Sequence, residues 1–300
     1  MKRLLIPIFA ILLIFSIIGF KRATPHKHKY YLSAVAIFRN EGRILKEWLE
    51  YNQMMGVEHF YLYNHMSDDN YQEILKPYIK AGTVELFQWP YPATNHKEWN
   101  KIQCRAYRTL IRKKGPETFW LAIIDLDEFI LPMQHKNIPD FLKDYEKFGG
   151  VAINWQLYGT SNIPKILESQ TYLGTLTKKA PKDLVRNKFV KSIVQPKKVK
   201  KIRQPHYCKY IKPYFHVTEN QIPFPSESYT PTVSIDKIRI NHYTHQDEAF
   251  FYNEKKRRVL EWFPNAKYPS EDPIFNSVED AVMQPYVDEL ERRLNLKAKL

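Results

Sequence analysis

The apolar run Phe119-Trp120-Leu121-Ala122-Ile123-Ile124 ends in Asp125-Leu126-Asp127. In an extended chain successive side chains alternate faces, so residues spaced i, i+2 point the same way. Two carboxylates would then project together from the C-terminal end of a buried strand, where open α/β sheets bind ligands. Hard oxygen donors of this kind suit Mg²⁺ or Mn²⁺, and such ions commonly complete their shell with substrate phosphates. The plain structural alternative is an acidic surface turn. The apolar lead-in favours a metal–phosphate site over that alternative.

Two more polar stretches follow apolar runs. Phe38-Arg39-Asn40-Glu41-Gly42 closes the first, and Asn64-His65-Met66-Ser67-Asp68-Asp69 closes the second. Polar turns at such positions contact nucleotides in α/β sheets. They also serve as helix starts, with Asn40 as a cap and Glu41 in a first turn. Taken with Asp125 and Asp127, three strand ends would converge on one crevice. No Gly-x-Gly-x-x-Gly and no Walker lysine loop is present, which excludes the dinucleotide and P-loop signatures.

The elements that must position these residues follow from periodicity. Strands are expected at 31–38, 57–63, 83–89, 119–124 and 151–155, and helices at 41–55, 71–80, 99–114 and 138–148. This alternation predicts an α/β fold, a Rossmann-like sandwich with a mainly parallel sheet and helices on both faces. After Gly159 the pattern loosens into prolines, lysines and short β-like pieces. That stretch reads as an elaboration of the same domain, with helices at 250–263 and 278–296. The domain thus spans 31–300, a nucleotide-binding half over 31–150 and an acceptor half over 151–300.

Composition supports a globular chain: 300 residues, 44% hydrophobic and 14% aromatic. Cys104 and Cys208 give neither a disulfide framework nor a metal pair, and suit a reducing compartment. The net charge of +14 implies an anionic partner: nucleic acid, a membrane surface or a phosphorylated substrate. Leu4 to Phe20 is almost wholly apolar and is flanked by Lys2, Arg3, Lys21 and Arg22. Without a small-x-small cleavage site, it reads as a single-pass N-terminal membrane anchor over 1–22, followed by a linker over 23–30. The basic flanks would leave the main domain in the cytosol of a bacterium; in a eukaryotic secretory pathway it would face the lumen.

Several ordered blocks carry a family resemblance. Ala36-Ile37-Phe38-Arg39-Asn40-Glu41, Glu47-Trp48-Leu49-Glu50-Tyr51, Gly56-Val57-Glu58-His59-Phe60-Tyr61-Leu62-Tyr63 and Asp125-Leu126-Asp127-Glu128-Phe129 resemble the nucleotide-sugar half of glycosyltransferase family 92 and related family 2-like transferases. Ile153-Asn154-Trp155-Gln156-Leu157-Tyr158-Gly159 is similar to the family's Trp-x-x-Phe-Gly segment, with Tyr158 for Phe. Lys191-Ser192-Ile193-Val194-Gln195-Pro196 and Ile240-Asn241-His242-Tyr243 are similar to its later blocks.

The resemblance implies a GT-A fold and transfer of a hexose from a nucleoside-diphosphate sugar, UDP before GDP, to a carbohydrate or glycolipid acceptor. By that analogy Asp125 approaches the ribose or the metal, Asp127 binds the metal directly and His242 completes the metal–diphosphate site. Arg39, Asn40, Glu41, Ser67 and Asp68 would line the nucleotide pocket. A departing nucleoside diphosphate needs positive charge. Lys255, Lys256, Arg257 and Arg258 could provide it, or could form a solvated basic face. An inverting reaction also needs a carboxylate base. Glu219, Asp247 and Glu248 are the candidates, and Glu248 leads with Asp247. Trp155 is either a sugar-stacking wall or core.

Residues 178–212 hold thirteen Lys and Arg and a single acid, Asp183. Beside a membrane anchor, this patch reads as facing anionic headgroups or another polyanion ahead of nucleic acid. Two rival readings remain at this point. Haloacid-dehalogenase-like phosphatases also carry Asp-x-Asp after an apolar strand, but this chain lacks their downstream acidic cluster. A non-catalytic, membrane-anchored basic binding module is the other.

Overall fold

The computed structural model describes residues 28–223, 227–262 and 273–296. The anchor expected over 1–22 lies outside the described residues. Among the described residues no helix is long and apolar enough to cross a membrane.

The first half alternates strictly. Strands β1 (Tyr30–Phe38), β2 (His59–Asn64), β3 (Val84–Gln88) and β4 (Thr118–Ile123) are separated by helices α1 (Gly42–Met54), α2 (Tyr71–Lys80) and α3 (His96–Lys114). Strands β3, β2, β1 and β4 lie side by side and parallel. Burial follows the period of two. Leu32, Ala34, Ala36 and Phe38 of β1 pack on one face, while Val35 and Ile37 pack on the other. Such two-sided burial is why these strands read as continuous apolar runs.

Nine strands follow, five of them in the same sheet and four in two separate two-stranded sheets. They are β5 (Glu128–Pro132), β6 (Gly150–Leu157), β7 (Lys178–Lys179), β8 (Val190–Val194), β9 (Val199–Gln204), β10 (Tyr207–Tyr210), β11 (His216–Val217), β12 (Ile238–His242) and β13 (Val278–Glu279). The main sheet has nine strands in the order β3-β2-β1-β4-β8-β6-β12-β5, with β11 beside β6. Strand β8 is antiparallel to both β4 and β6, and β5 is antiparallel to β12. The sheet is therefore mixed, where a mainly parallel one was expected. The two halves also interleave: β5 from the first half lies at the edge beyond β12 from the second.

Helix α1 ties the far edge to the centre. Trp48 Nε1–H donates to Glu128 O at 3.0 Å, and Tyr51 Oη–H to Ile130 O at 3.0 Å. The helix expected over 138–148 is shorter: α4 (Ile138–Leu142) runs into a 3₁₀ turn at Lys143–Tyr145. After the four-residue α5 (Tyr172–Thr175) come α6 (Glu248–Phe250), a π-helical turn Phe251–Lys255 and α7 (Lys256–Trp262). The last expected helix is α8 (Gln284–Leu294), preceded by β13 rather than starting at Val278.

Candidate active site

The C-terminal ends of β1 and β4 are adjacent, and the cleft of about 320 Å³ at that edge is lined by Arg39, Asn40, Glu41, His65, Asp125, Asp127, Lys255 and Arg258. Three strand ends and one C-terminal helical segment thus meet there. Asp125 and Asp127 reach it by a route different from the expected one. Strand β4 stops at Ile123, and the pair sits in the tight turn between β4 and β5. Glu128 N–H donates to Asp125 O at 3.2 Å across that turn, and Tyr243 N–H to Asp127 O at 2.8 Å. The turn, not strand alternation, brings both carboxylates to one side.

Lys191 is the main partner that sequence reading missed. It stands on β8 with 1% of its side chain exposed, and its Nζ is 2.7 Å from Asp125 Oδ2 and 3.7 Å from Glu128 Oε2. Burial works against the ammonium, but Asp125 and Glu128 outweigh it and hold the Lys191 pKa above its ordinary value. Glu128 is buried as well; desolvation and the Asp125 charge push its pKa up to about 7 against the pull of Lys191. One signal was available: a lysine inside the apolar run Phe189-Val190-Lys191-Ser192-Ile193-Val194 must find a partner when buried.

Asp127 lies 3.4 Å from His242 Nε2 and 4.0 Å from Lys255 Nζ. Burial raises its pKa, yet His242, Lys255 and Lys191 together lower it well below the usual carboxylate range. His242 ends β12 directly opposite Glu128 and is packed against Trp155 at 4.5 Å between ring centroids. Trp155 also stacks on Phe189 at 5.4 Å and so backs His242.

The loop after β1 is held by its neighbour. Asn40 adopts φ 54°, a left-handed conformation that Asn tolerates better than most residues. Its N–H donates to Ser67 Oγ at 3.0 Å, and its Oδ1 accepts from Asp68 N–H at 2.9 Å. Asn40 is therefore not the cap of α1. Asp69 caps the helix from the neighbouring loop, accepting from Gly42 N–H at 2.7 Å. A Cβ at Gly42 would come within 2.5 Å of Asn70 Oδ1, so the close approach of these loops requires glycine. Ser67 and Asp68 stand behind the cleft lining as braces for Asn40.

The C-terminal cations divide. Arg258 pairs with Glu41 at 2.8 Å and reaches the carbonyls of Arg39 and Asn40 at 3.3 and 3.4 Å. Arg257 is exposed and paired with Glu254 and Glu261. Lys255 faces Asp127, while Lys256 lies outside the cleft lining.

The three carboxylates considered as bases differ sharply. Glu219 accepts from Asp236, Lys237 and Ile238 N–H at 2.8–2.9 Å, at the end of β12 remote from His242, so it is a structural clamp. Asp247 is fully buried. It caps α6 through Phe250 N–H, accepts from Ile166 N–H and pairs with Arg43 at 2.5 Å, so both carboxylate oxygens are engaged inside the fold. That corrects the expectation for Asp247. Glu248 is half-buried, and its carboxylate has no hydrogen-bond partner among the described residues.

Among the described residues no group of three His, Cys, Asp or Glu side chains forms a ready metal cage. One pair of donor atoms has the spacing that neighbouring ligands of a divalent ion take. Asp127 Oδ2 and His242 Nε2 are 3.4 Å apart, close to the roughly 3 Å edge of an octahedron with bonds of about 2.1 Å. Asp125 Oδ1, two residues before Asp127, is buried without a hydrogen-bond partner.

Comparison with known proteins bears on this site. A glycosyltransferase family 92 protein of Oryza sativa subsp. japonica is 26% identical over 43% of this chain and 22% of its own length. One of Arabidopsis thaliana is 22% identical over 86% of this chain and 43% of its own length. The chain thus spans less than half of these curated relatives. S. aureus TarS, solved in complex with UDP, covers 80% of this chain at 13% identity with a TM-score of 0.39, too low to carry weight. The sequence model of glycosyltransferase family 92 matches residues 31–294, nearly the whole described fold, and the chain therefore belongs to glycosyltransferase family 92.

Proposed function

We propose that this protein is a metal-dependent GT-A glycosyltransferase that moves a hexose from a nucleoside-diphosphate sugar, UDP-linked, to a carbohydrate or glycolipid acceptor. The observation that carries the reading is the single cleft lined by Asp125, Asp127, the Arg39-Asn40-Glu41 loop, Lys255 and Arg258. Family membership favours this reading over a phosphatase or a non-catalytic basic module.

Asp127, His242 and Asp125 Oδ1 would hold Mn²⁺ or Mg²⁺, which supplies positive charge against the departing diphosphate. His242 and Lys255 keep Asp127 ionised despite its burial, so the carboxylate is ready at neutral pH. Lys191 neutralises Asp125 from behind and sets its orientation. Lys255 stands where its ammonium can follow negative charge onto the leaving group. Arg258 fixes the loop that receives the nucleotide. Glu248, which stands outside the cleft lining with its carboxylate unengaged, is the base that an inverting transfer would use. It would take the acceptor hydroxyl proton as the new glycosidic bond forms and the bond to diphosphate breaks.

The test mixes the full chain with a panel of UDP- and GDP-sugars, with and without Mn²⁺. Metal-dependent binding or slow donor hydrolysis, lost in Asp127→Asn, supports the reading. Phosphate release from simple phosphomonoesters, or donor binding indifferent to both Mn²⁺ and Asp127→Asn, refutes it.

A further inference from the structure

The cation-rich run over 178–212 does not form one surface. Lys178 and Lys179 pair with Glu279 and Asp280, Lys182 with Asp236, and Lys191 is buried at the cleft. Of the nine that remain, five stand on one hairpin and the turn after it. The β9–β10 hairpin and the turn after it expose Lys200, Lys201, Arg203, Lys209 and Lys212. Among the described residues none of these five cations has a carboxylate partner. The sequence from 184 to 218 contains no Asp or Glu at all.

The turn itself is apolar. Ile211-Lys212-Pro213-Tyr214-Phe215 is exposed at every position, with Ile211 48%, Tyr214 39% and Phe215 43% open. Single exposed apolar residues are ordinary, but three large ones within five residues, ringed by lysines, form a patch. The turn is also held in place. Ile211 N–H donates to Lys198 O at 2.8 Å, Tyr214 N–H to Ile211 O at 2.9 Å and Gly149 N–H to Phe215 O at 2.9 Å. Phe215 leans on Phe148 at 5.7 Å, and Lys198 Nζ sits 4.3 Å over the Tyr214 ring.

The position of this patch matters. Gly149 leads into β6 at the end of the sheet opposite the cleft. The described chain enters at the same end: the His28 ring nitrogen lies 3.2 Å from Pro116 O, and the neighbouring Gly115 packs on Pro196 at the base of the hairpin. In sequence, the apolar stretch 4–20 lies just before this entry point.

We propose that the Ile211–Phe215 turn and the cations Lys200, Lys201, Lys209 and Lys212 dock this face on an anionic phospholipid bilayer. The apolar tips enter the headgroup layer, and the cations meet lipid phosphates and carboxylates. The shape favours lipid over nucleic acid. The patch is a convex turn with aliphatic and aromatic tips, whereas single strands need a groove with stacking platforms. Docking would raise the cleft by the length of β1, nine residues or roughly 30 Å, and point it away from the lipid. The acceptor end of a substrate would then have to project well beyond the headgroups.

The experiment uses the full chain carrying Phe215→Cys labelled with bimane. Cys104 and Cys208 are both buried, so the label goes to position 215. Vesicles of phosphatidylcholine, with or without phosphatidylglycerol, carry a doxyl-lipid quencher. The expected result is quenching on the anionic vesicles, while a label at Met66→Cys, on the cleft side, stays bright. Combining Lys200→Glu, Lys201→Glu, Lys209→Glu and Lys212→Glu should weaken this binding at least fivefold per cation. Thermal melts by circular dichroism check that this variant remains folded. A chain that does not float with the vesicles, a bright label at 215, or equal quenching in the charge-reversed variant overturns the proposal. So does retention of single-stranded RNA that the reversed variant loses while the label at 215 stays bright on vesicles.

Discussion

Replacing Lys191 by Met is the sharpest probe of the cleft. The side chain volume changes little, but Asp125 and Glu128 lose the ammonium that lies 2.7 and 3.7 Å away. Removing one partner of a buried charge cluster costs about 3–5 kcal/mol, because the remaining charge stays desolvated. Part of that cost is avoidable, since burial already pushes Glu128 up to about 7 and it can take up a proton once Lys191 is gone. The expected loss is therefore nearer about 3 kcal/mol, a fall of roughly 5 °C in Tm for a chain of this length. Adding Glu128→Gln should restore much of it by removing the second acid. Urea denaturation at pH 7.5 of the parent, Lys191→Met, Glu128→Gln and the double variant yields the coupling energy. A Lys191→Met loss below about 1 kcal/mol, or a double variant no more stable than the single, would refute the buried-cluster account.

Three other outcomes follow from the same geometry. Asp247→Ala should destabilise the fold by about 2–4 kcal/mol, since it removes a helix cap and strands Ile166 N–H, whereas Glu248→Gln should leave the urea midpoint unchanged and abolish transfer; the reverse pattern would return Asp247 to the reaction. Glu47 is buried, and desolvation pushes its pKa up to about 7 although it accepts Tyr172 and Leu173 N–H at 2.8 and 2.9 Å. The folded state then holds this proton more tightly than the unfolded chain, so Glu47 should cost stability as pH rises from about 4.5 to about 7, by up to about 3 kcal/mol. In Glu47→Gln this fall, read from urea titrations across that window, should flatten. Gly150→Ala would drive a Cβ into Tyr210 Oη and to within 3.0 Å of Ile193 O, which should cost about 1–3 kcal/mol and speed hydrogen exchange in the β9–β10 hairpin.

What was legible in the sequence was what local chain physics controls. Alternating apolar runs and helical stripes over 31–155 marked β1 to β4, β6 and the helices between them, though not β5, because burial on both faces writes itself into consecutive residues. The boundaries of α2 at Tyr71 and Lys80 matched, with Gly82 just beyond in a left-handed conformation, at φ 74°. The polar residues after β1, β2 and β4 also stood out, since each interrupts an apolar run.

Tertiary structure alone decided the rest. Strand β8 inserts antiparallel between β4 and β6, and that long-range pairing brings Lys191 to Asp125 across 66 positions of chain. No local period encodes such a contact, because it depends on which strand pairs with which. The same holds for Asp247, whose carboxylate looks available in the sequence but is taken up by Arg43 and Ile166 N–H, both distant along the chain. Sequence reveals which residues can carry charge. Folding decides which charges are spent on each other, because a buried ion must find a partner wherever the topology places one.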